Sequence, residues 1–184
     1  MSDPVTPLNN ARFDGFAQIR EIGPLGMISL RAIPDATGLA KAVKAATGCA
    51  VPLPRRIEIK GANAAGWMSP DELLLILPYG ETAAAIGAVG KAMAGAHHLA
   101  AVVSDARAVF RIEGDRADQV LMKLAPVDLA RLQPGELRRT RVAQVAAAFW
   151  RDEAGITLVC FRSVASYVFD LLRHSALPGS EIDA

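Results

Sequence analysis

Short apolar segments separated by turn residues dominate the pattern of hydrophobic and polar positions along the chain. The apolar run Leu73–Leu77 follows a Ser-Pro-Asp sequence at residues 69–71. Pro70 has the fixed φ that the second position of a type I turn needs, and Asp71 can accept a local backbone hydrogen bond. The pattern predicts a β-hairpin with Trp67 on its first strand, and the apolar run predicts a second strand covered on both faces.

Two periodicities alternate through the rest of the first half. Residues 16–22 and 26–32 alternate between apolar and polar side chains, and the Gly23-Pro24 pair between them predicts a hairpin. Apolar residues spaced three and four apart share one helical face and predict amphipathic helices. The other elements predicted for this half are helices at 35–46 and 81–94 and short strands at 57–59 and 99–103.

The second half repeats much of this order. The predicted elements are a strand at 106–112, a helix from Gly114 to Pro126, a strand at 140–151, a reversal at 152–155, a strand at 156–161 and a final helix capped by Ser163. The simplest arrangement is an α+β fold. It has two βαββα-like halves, with mostly antiparallel sheets covered by helices.

The expected domain limits follow from these elements. Residues 1–15 contain several prolines and asparagines and predict an extended N-terminal arm that a partner would order. Residues 16–177 predict a single domain of two halves, about 16–103 and 104–177, and residues 178–184 form a tail.

The composition of the chain argues against several classes of protein. The 184 residues are 52% hydrophobic with a formal net charge of +1, which argues against a nucleic-acid binder because such proteins concentrate basic residues. Cys49 and Cys160 are far apart, so a reduced, cytoplasmic protein is expected. The chain start does not resemble a signal peptide, and no apolar stretch has membrane-spanning length.

The sequence offers several residues with reactive side chains, and each has a structural explanation. Gly90-Lys91 lacks the spacing of a phosphate-binding loop and falls within a helical pattern. His97 and His98 are adjacent, whereas paired metal ligands on a helix lie about four residues apart. Cys160 alternates with apolar residues on a strand and predicts a small core side chain.

Neighbouring carboxylates and serines also lack the partners that catalysis needs. Asp71 and Glu72 are expected to be solvated in their turn, with a general-acid role as the less favoured alternative. Ser163 lacks the G-x-S-x-G elbow that presents a nucleophile. The sequence therefore predicts no catalytic, cofactor-binding or metal-ligating residue in this chain.

Three arginines flank apolar strands. Arg139, Arg141 and Arg162 could pair with carboxylates of another chain or bind an acidic ligand. The reading that we favour is that they only protect the edge of a sheet. The residues themselves leave both readings open.

An ordered series of motifs adds a family resemblance. Gly66–Leu75 resembles the W-L-x-P-D-E-x-L-L hairpin of the aminomethyltransferase-like folate-binding family. Within that family the chain resembles the gamma subunits of heterotetrameric sarcosine oxidases, over roughly residues 20–177. Further motifs follow in the expected order at Ser104–Arg107, Arg111–Gly114, Ala117–Leu121, Pro126–Leu129, Thr140–Ala143 and Phe161–Tyr167. Lys123–Pro126 departs from the family, because a Gly-Cys-Pro sequence is expected there.

The resemblance implies a non-catalytic subunit. Its complex would oxidise sarcosine to glycine, produce hydrogen peroxide and transfer the one-carbon unit to tetrahydrofolate. FAD, FMN, NAD and tetrahydrofolate are implied for the complex, with alpha, beta and delta subunits as partners. The expected partner-contact or fold-marker residues are Trp67, Pro70, Asp71, Arg139, Arg141 and Arg162. The alternative is a stand-alone folate-binding, aminomethyltransferase-like one-carbon protein.

Overall fold

A computed structural model describes residues 4–182, which form two compact units. The central unit comprises residues 25–104, and the terminal unit comprises the described residues 4–24 and 105–182. The strands are β1 (Arg12–Asp14), β2 (Gln18–Ile22), β3 (Leu25–Arg31), β4 (Ile57–Lys60), β5 (Asn63–Ser69), β6 (Glu72–Pro78), β7 (Leu99–Val102), β8 (Arg107–Glu113), β9 (Leu137–Val142), β10 (Val145–Asp152) and β11 (Gly155–Phe161). The helices are α1 (Leu39–Thr47), α2 (Thr82–Ala92), α3 (Ala117–Met122) and α4 (Ala165–Ser175).

The central unit packs α1 and α2 on one face of a five-stranded antiparallel sheet. The strand order is β4-β5-β6-β3-β7. Ile28 and Leu75 from the sheet meet Val43 of α1 and Val89 of α2 in a core with no solvent exposure at these four residues. Burial of such aliphatic side chains contributes roughly 1.5–3 kcal/mol each.

The terminal unit packs α3 and α4 on a six-stranded antiparallel sheet. The strand order is β1-β2-β8-β11-β10-β9. Phe110 and Phe149 are fully buried, together with Val120 of α3 and Val168 of α4. The ring of Phe110 also lies 6.0 Å from that of Phe169.

The two units share one arrangement of strands. The order β4-β5-β6-β3-β7 in the central unit corresponds to β9-β10-β11-β8-β2 in the terminal unit. Both run from a strand through a helix to three strands and a second helix along the chain. The predicted α+β fold of two βαββα-like halves is confirmed. The position that β7 occupies in the central sheet is filled in the terminal sheet by β2, which comes from the N-terminal segment, and β1 adds one further strand beyond it.

The predicted hairpin around Gly23-Pro24 is wrong. β2 pairs with β8, whereas β3 pairs with β6 and β7 in the other sheet. Ile19 is buried in the terminal core and Ile28 in the central core. Long-range pairing therefore decided the partners of these strands, because each strand completes a different hydrophobic core. Residues 16–24 accordingly group with the second half, not the first.

The N-terminal segment is held by its own unit. β1 pairs with β2, and the N–H groups of Leu8 and Asn10 donate to the buried carboxylate of Glu21 at 3.0 and 2.9 Å. The Phe16 N–H donates to the Ala176 carbonyl at 3.0 Å. A Cβ at Gly15 would overlap that carbonyl, so this close approach requires glycine. Residues 1–3 of the expected arm and 183–184 of the expected tail lie outside the described residues.

The single strand predicted at 140–151 is two strands. β9 and β10 form a hairpin with the two-residue loop Ala143-Gln144. Ala143 has φ 48°, and its N–H donates to the Leu124 carbonyl at 2.8 Å. The prediction missed the turn because alanine and glutamine are not characteristic turn residues. The final helix likewise begins at Ala165, after a short 3-10 turn that contains Ser163, so Ser163 is not its cap.

Candidate partner-contact surface

The hairpin predicted around Trp67 is present. β5 and β6 are antiparallel, and Ser69 lies opposite Glu72 across the Pro70-Asp71 turn. The Ser69 hydroxyl donates to the Asp71 carboxylate at 2.6 Å. The pairing shifts register between Trp67 and Ser69, which indicates a β-bulge beside the turn. Bulges redirect side chains, and this one lies directly after Trp67.

Trp67, Pro70 and Asp71 line one groove of about 230 Å³ in the central unit. We call it the Trp67 groove. Its remaining lining residues are Leu30, Ala32, Pro34, Leu39, Val51, Pro52, Pro54, Glu72 and Leu73. The lining is mainly aliphatic, aromatic and proline, which suits an apolar ligand surface.

Two exposed apolar residues lie in the segments that line the groove. Ile33 is 63% exposed and Leu53 is 72% exposed. Each is flanked in the chain by residues that line the groove. Contiguous exposed apolar surface is characteristic of a site that contacts another molecule.

Two of the lining residues, Asp71 and Glu72, belong to an ion-pair network. Arg31 donates to Glu72 at 2.9 Å and to Asp71 at 3.5 Å, and the Ser29 hydroxyl donates to Glu72 at 2.9 Å. The Glu72 side chain is only 8% exposed, whereas Arg31 is 47% exposed. The expectation of two solvated carboxylates is therefore wrong for Glu72, because β6 is buried from Glu72 to Leu77 and Glu72 is its first residue. Both carboxylates take part in a structural network.

The three candidate arginines belong to the terminal unit and do not share the Trp67 groove. Arg139 and Arg141 are exposed on β9, the last strand of its sheet. Arg162 is half-buried, and its guanidinium donates to the Val5 carbonyl at 3.2 Å. Arg162 thus fastens the N-terminal segment, while the side chains of Arg139 and Arg141 remain accessible.

A second, polar depression lies in the terminal unit. This cleft of about 280 Å³, the Asp152 cleft, is lined by Gly114, Asp115, Ala117, Asp118, Arg151, Asp152, Glu153, Ala154, Gly155 and Ile156. Behind it, Arg111 donates to both carboxylate oxygens of Asp152, at 2.5 and 2.7 Å. Arg111 also donates to the Thr157 hydroxyl at 2.8 Å and to Glu113 at 3.3 Å. This network was not predicted from the sequence, although the charged residues Arg111 and Glu113 at alternating positions of an otherwise apolar strand are a signal for it.

Ion pairing keeps both Arg111 and Asp152 in their charged forms. Burial by itself lowers the pKa of Arg111, but hydrogen bonding to Asp152 and the nearby carboxylate charges outweigh it and raise that pKa. Burial likewise opposes ionisation of Asp152, yet hydrogen bonds from Arg111 and two backbone N–H groups bring its pKa below the usual value. Both groups are therefore charged near neutral pH, which describes a stable ion pair and not a poised acid or base.

The two cysteine thiols are buried, and one histidine ring lies beside a backbone carbonyl. Cys160 lies in the terminal core, as predicted, and burial raises its pKa to about 12. Cys49 is also buried and unpaired. The His98 ring nitrogen Nδ1 lies 2.9 Å from the Ala96 carbonyl. Within residues 4–182 there is no cluster of three or more potential metal ligands and no helix long and apolar enough to cross a membrane.

Known proteins resemble this chain in sequence. Sarcosine oxidase subunit gamma from Arthrobacter sp is 34% identical over 143 residues, which cover 74% of this chain and 68% of that protein. The protein of the same name from Corynebacterium sp. (strain U-96) is 34% identical over 139 residues, covering 72% and 65%. The chain thus spans about two thirds of the length of these relatives.

Solved structures resemble it as well. Heterotetrameric sarcosine oxidase from Corynebacterium sp. U-96, in complex with pyrrole 2-carboxylate, has a chain that matches with a TM-score of 0.79 and 26% identity, covering 87% of this chain and 83% of that chain. The glycine cleavage system aminomethyltransferase T from Bartonella henselae shares the fold, with a TM-score of 0.62, 12% identity and coverage of 83% and 44%. The sequence profile of the "sarcosine oxidase, gamma subunit family" matches residues 32–177. This chain belongs to the sarcosine oxidase gamma subunit family.

Proposed function

We propose that this chain is a non-catalytic gamma subunit that supports assembly of a heterotetrameric sarcosine oxidase. The observation that carries the proposal is the Trp67 groove with its exposed apolar neighbours Ile33 and Leu53. Exposed apolar surface of this kind supports a subunit role, because a subunit buries such surface against its partner. Family membership and the similarity to a chain of a heterotetramer indicate that this partner is another subunit of a sarcosine oxidase complex.

The chemistry of the complex would reside in its other chains. In this proposal the alpha, beta and delta subunits hold FAD, FMN, NAD and tetrahydrofolate and convert sarcosine to glycine with release of hydrogen peroxide. The ionisable groups of this chain support such a division. Asp152, Arg111 and Glu72 are engaged in ion pairs, and burial disfavours ionisation of the Cys160 thiol. The assembled enzyme would act in the cytoplasm.

Co-expression with candidate alpha, beta and delta subunits tests the proposal. Wild-type chain should co-purify in a flavin-containing complex. Ile33→Asp/Leu53→Asp should weaken that association roughly tenfold or more, because it places two charges in the apolar contact. Both residues are exposed, so folding should be retained. Tyr167→Asp, at an exposed aromatic of the terminal unit, is the matched control and should assemble normally. A wild-type chain that forms no complex would contradict the proposed function.

The stand-alone folate-binding alternative makes a different prediction. It requires saturable binding of tetrahydrofolate to the isolated chain. Four carboxylates line the Asp152 cleft beside one arginine, Arg151. That excess of negative charge disfavours the anionic tail of a folate. Calorimetric titration of the purified chain with tetrahydrofolate should therefore show no saturable heat, and tight binding would favour the alternative.

A further inference from the structure

β9 is the last strand of its sheet, and its outer edge is a place where a further strand could pair. β9 pairs with β10, and no other strand within residues 4–182 pairs with it. Val142 lies opposite Val145 across the two-residue loop, so hydrogen-bonded pairs alternate from that point. Arg138 and Thr140 accordingly direct their N–H and C=O groups towards β10. Arg139 and Arg141 direct theirs outward, where they can pair with an incoming strand.

The side chains on this edge carry uncompensated positive charge. Arg139 and Arg141 are both exposed, and as alternate residues of a strand they share one face. Among the described residues, no carboxylate forms an ion pair with either one; Arg141 donates to the Ala143 carbonyl at 3.3 Å. Arg138, on the opposite face, is by contrast paired with Glu136 at 2.5 Å. Two guanidinium groups spaced two residues apart are therefore available to acidic side chains.

An exposed aromatic lies on the same face of this sheet. Ala146 lies opposite Arg141, and the neighbouring strand β11 places Phe161 next to it. Phe161 is exposed, and the Arg107 guanidinium lies 4.2 Å from its ring centroid. Arginine and aromatic residues are enriched in the buried centres of protein interfaces. This face thus combines charge with apolar contact area.

The equivalent edge of the central unit differs. β4 occupies the position in its sheet that β9 occupies in the terminal sheet. Its exposed residues are Glu58, Ile59 and Lys60, which mix both signs of charge. Charge of a single sign, as on β9, favours a partner of the opposite sign and disfavours others. A strand edge of this kind is also poorly suited to pairing with a second copy of itself, because four arginines would meet.

We infer that the free edge of β9 binds an extended acidic segment of another subunit, which adds to the sheet as a seventh strand. The segment carries carboxylates two residues apart, opposite Arg139 and Arg141, while its backbone pairs with theirs. This inference rests on the proposed function, because the segment belongs to a partner in the complex. It assigns the two arginines a specific contact beyond edge protection.

Hydrogen–deuterium exchange on the co-purified complex and on the free chain tests whether the backbone of β9 pairs with an added strand. The Arg139 and Arg141 amides should exchange rapidly in the free chain and at least tenfold more slowly in the complex. The Thr140 amide, already bonded to β10, is the internal control and should change little. Unchanged exchange at Arg139 and Arg141 in a complex that does form would overturn the inference and leave the proposed function intact. Absence of any wild-type complex would overturn both.

Charge reversal tests the side chains. Arg139→Glu/Arg141→Glu should weaken association roughly tenfold or more, whereas Arg139→Lys/Arg141→Lys should retain most of it. The matched control is Arg116→Glu/Arg173→Glu, which makes the same change in net charge at exposed positions on or beside helices of the terminal unit. Normal assembly of the β9 reversal variant, or equal loss in the control, would overturn the inference. A variant that only self-associates while its complex stays intact would show that the arginines serve as edge protection alone.

Discussion

The Trp67 groove and the Asp152 cleft occupy equivalent positions in the two units. Each lies between a hairpin turn, β5–β6 or β10–β11, and the segment that leads from a strand into the first helix of its unit. The shared strand order creates a depression in both places. Aliphatic, proline and tryptophan side chains line the groove, whereas carboxylates predominate in the cleft. Backbone topology thus determines where the depressions lie, and side chains determine what each can bind.

The ion pairs beside the two depressions are arranged in opposite ways. In the central unit the carboxylate of Glu72 is buried and its partner Arg31 is 47% exposed. In the terminal unit Arg111 is 9% exposed, while its partner Asp152 is 37% exposed. Each buried member has a hydroxyl partner, Ser29 or Thr157. A carboxylate that loses its partner can take up a proton, but a guanidinium stays charged. The terminal unit should therefore depend more strongly on its ion pair.

Asp152→Ala should give the largest effect. Removing this carboxylate leaves the buried Arg111 with Glu113 as its remaining anion, at 3.3 Å. We expect a loss of about 2 kcal/mol in the free energy of unfolding, below the 3–5 kcal/mol of a fully buried pair because Asp152 is partly exposed. Urea unfolding measures this loss. Glu153→Ala, at the exposed neighbouring turn residue, is the control. An equal loss of unfolding free energy in the two variants would show that the Arg111–Asp152 pair does not stabilise the terminal unit specifically.

Arg31→Ala should cost less, about 1 kcal/mol, because the exposed guanidinium is screened by water and Glu72 retains its bond from Ser29. The same urea measurement applies. Lys41→Ala, which removes an exposed charge from α1, should leave stability nearly unchanged. A loss larger than that of Asp152→Ala would reverse the comparison between the units.

The smallest effect is expected from mild acidification, because near pH 4 only a minor part of the Asp152 carboxylate is protonated. The pKa of Asp152 in the folded chain lies below the ordinary value of 3.8, so its stabilising effect is complete above that value and is lost as the pH falls through the folded-state pKa. The difference in unfolding free energy between wild type and Asp152→Ala should therefore be constant from pH 7 to about 5 and should shrink below about pH 4. A difference that grows on acidification would show that Asp152 does not stabilise the fold as an anion.

Local sequence patterns predicted most elements but not all strand partners. The Trp67 hairpin was predictable because Pro70 and Asp71 match a turn and the flanking residues match strands. The assignment of β2 and β3 to different sheets was not predictable. A two-residue Gly-Pro link has the same sequence whether the two strands that it joins pair with each other or enter different sheets. The Arg111 network was missed for a related reason: its members come from β8, β10 and β11 and meet only when the sheet forms.

The sequence alone determined the fold class and the family of this protein, because periodicity and ordered motifs are properties of the chain read in one direction. The tertiary structure decided which candidate residues share a surface. It brought Leu39 and Val51 to the Trp67 hairpin to form an apolar groove, buried Glu72 and placed Arg139 and Arg141 on the edge strand β9. Burial, charge pairing and edge position depend on contacts between residues distant in sequence, and these exist only in the folded chain.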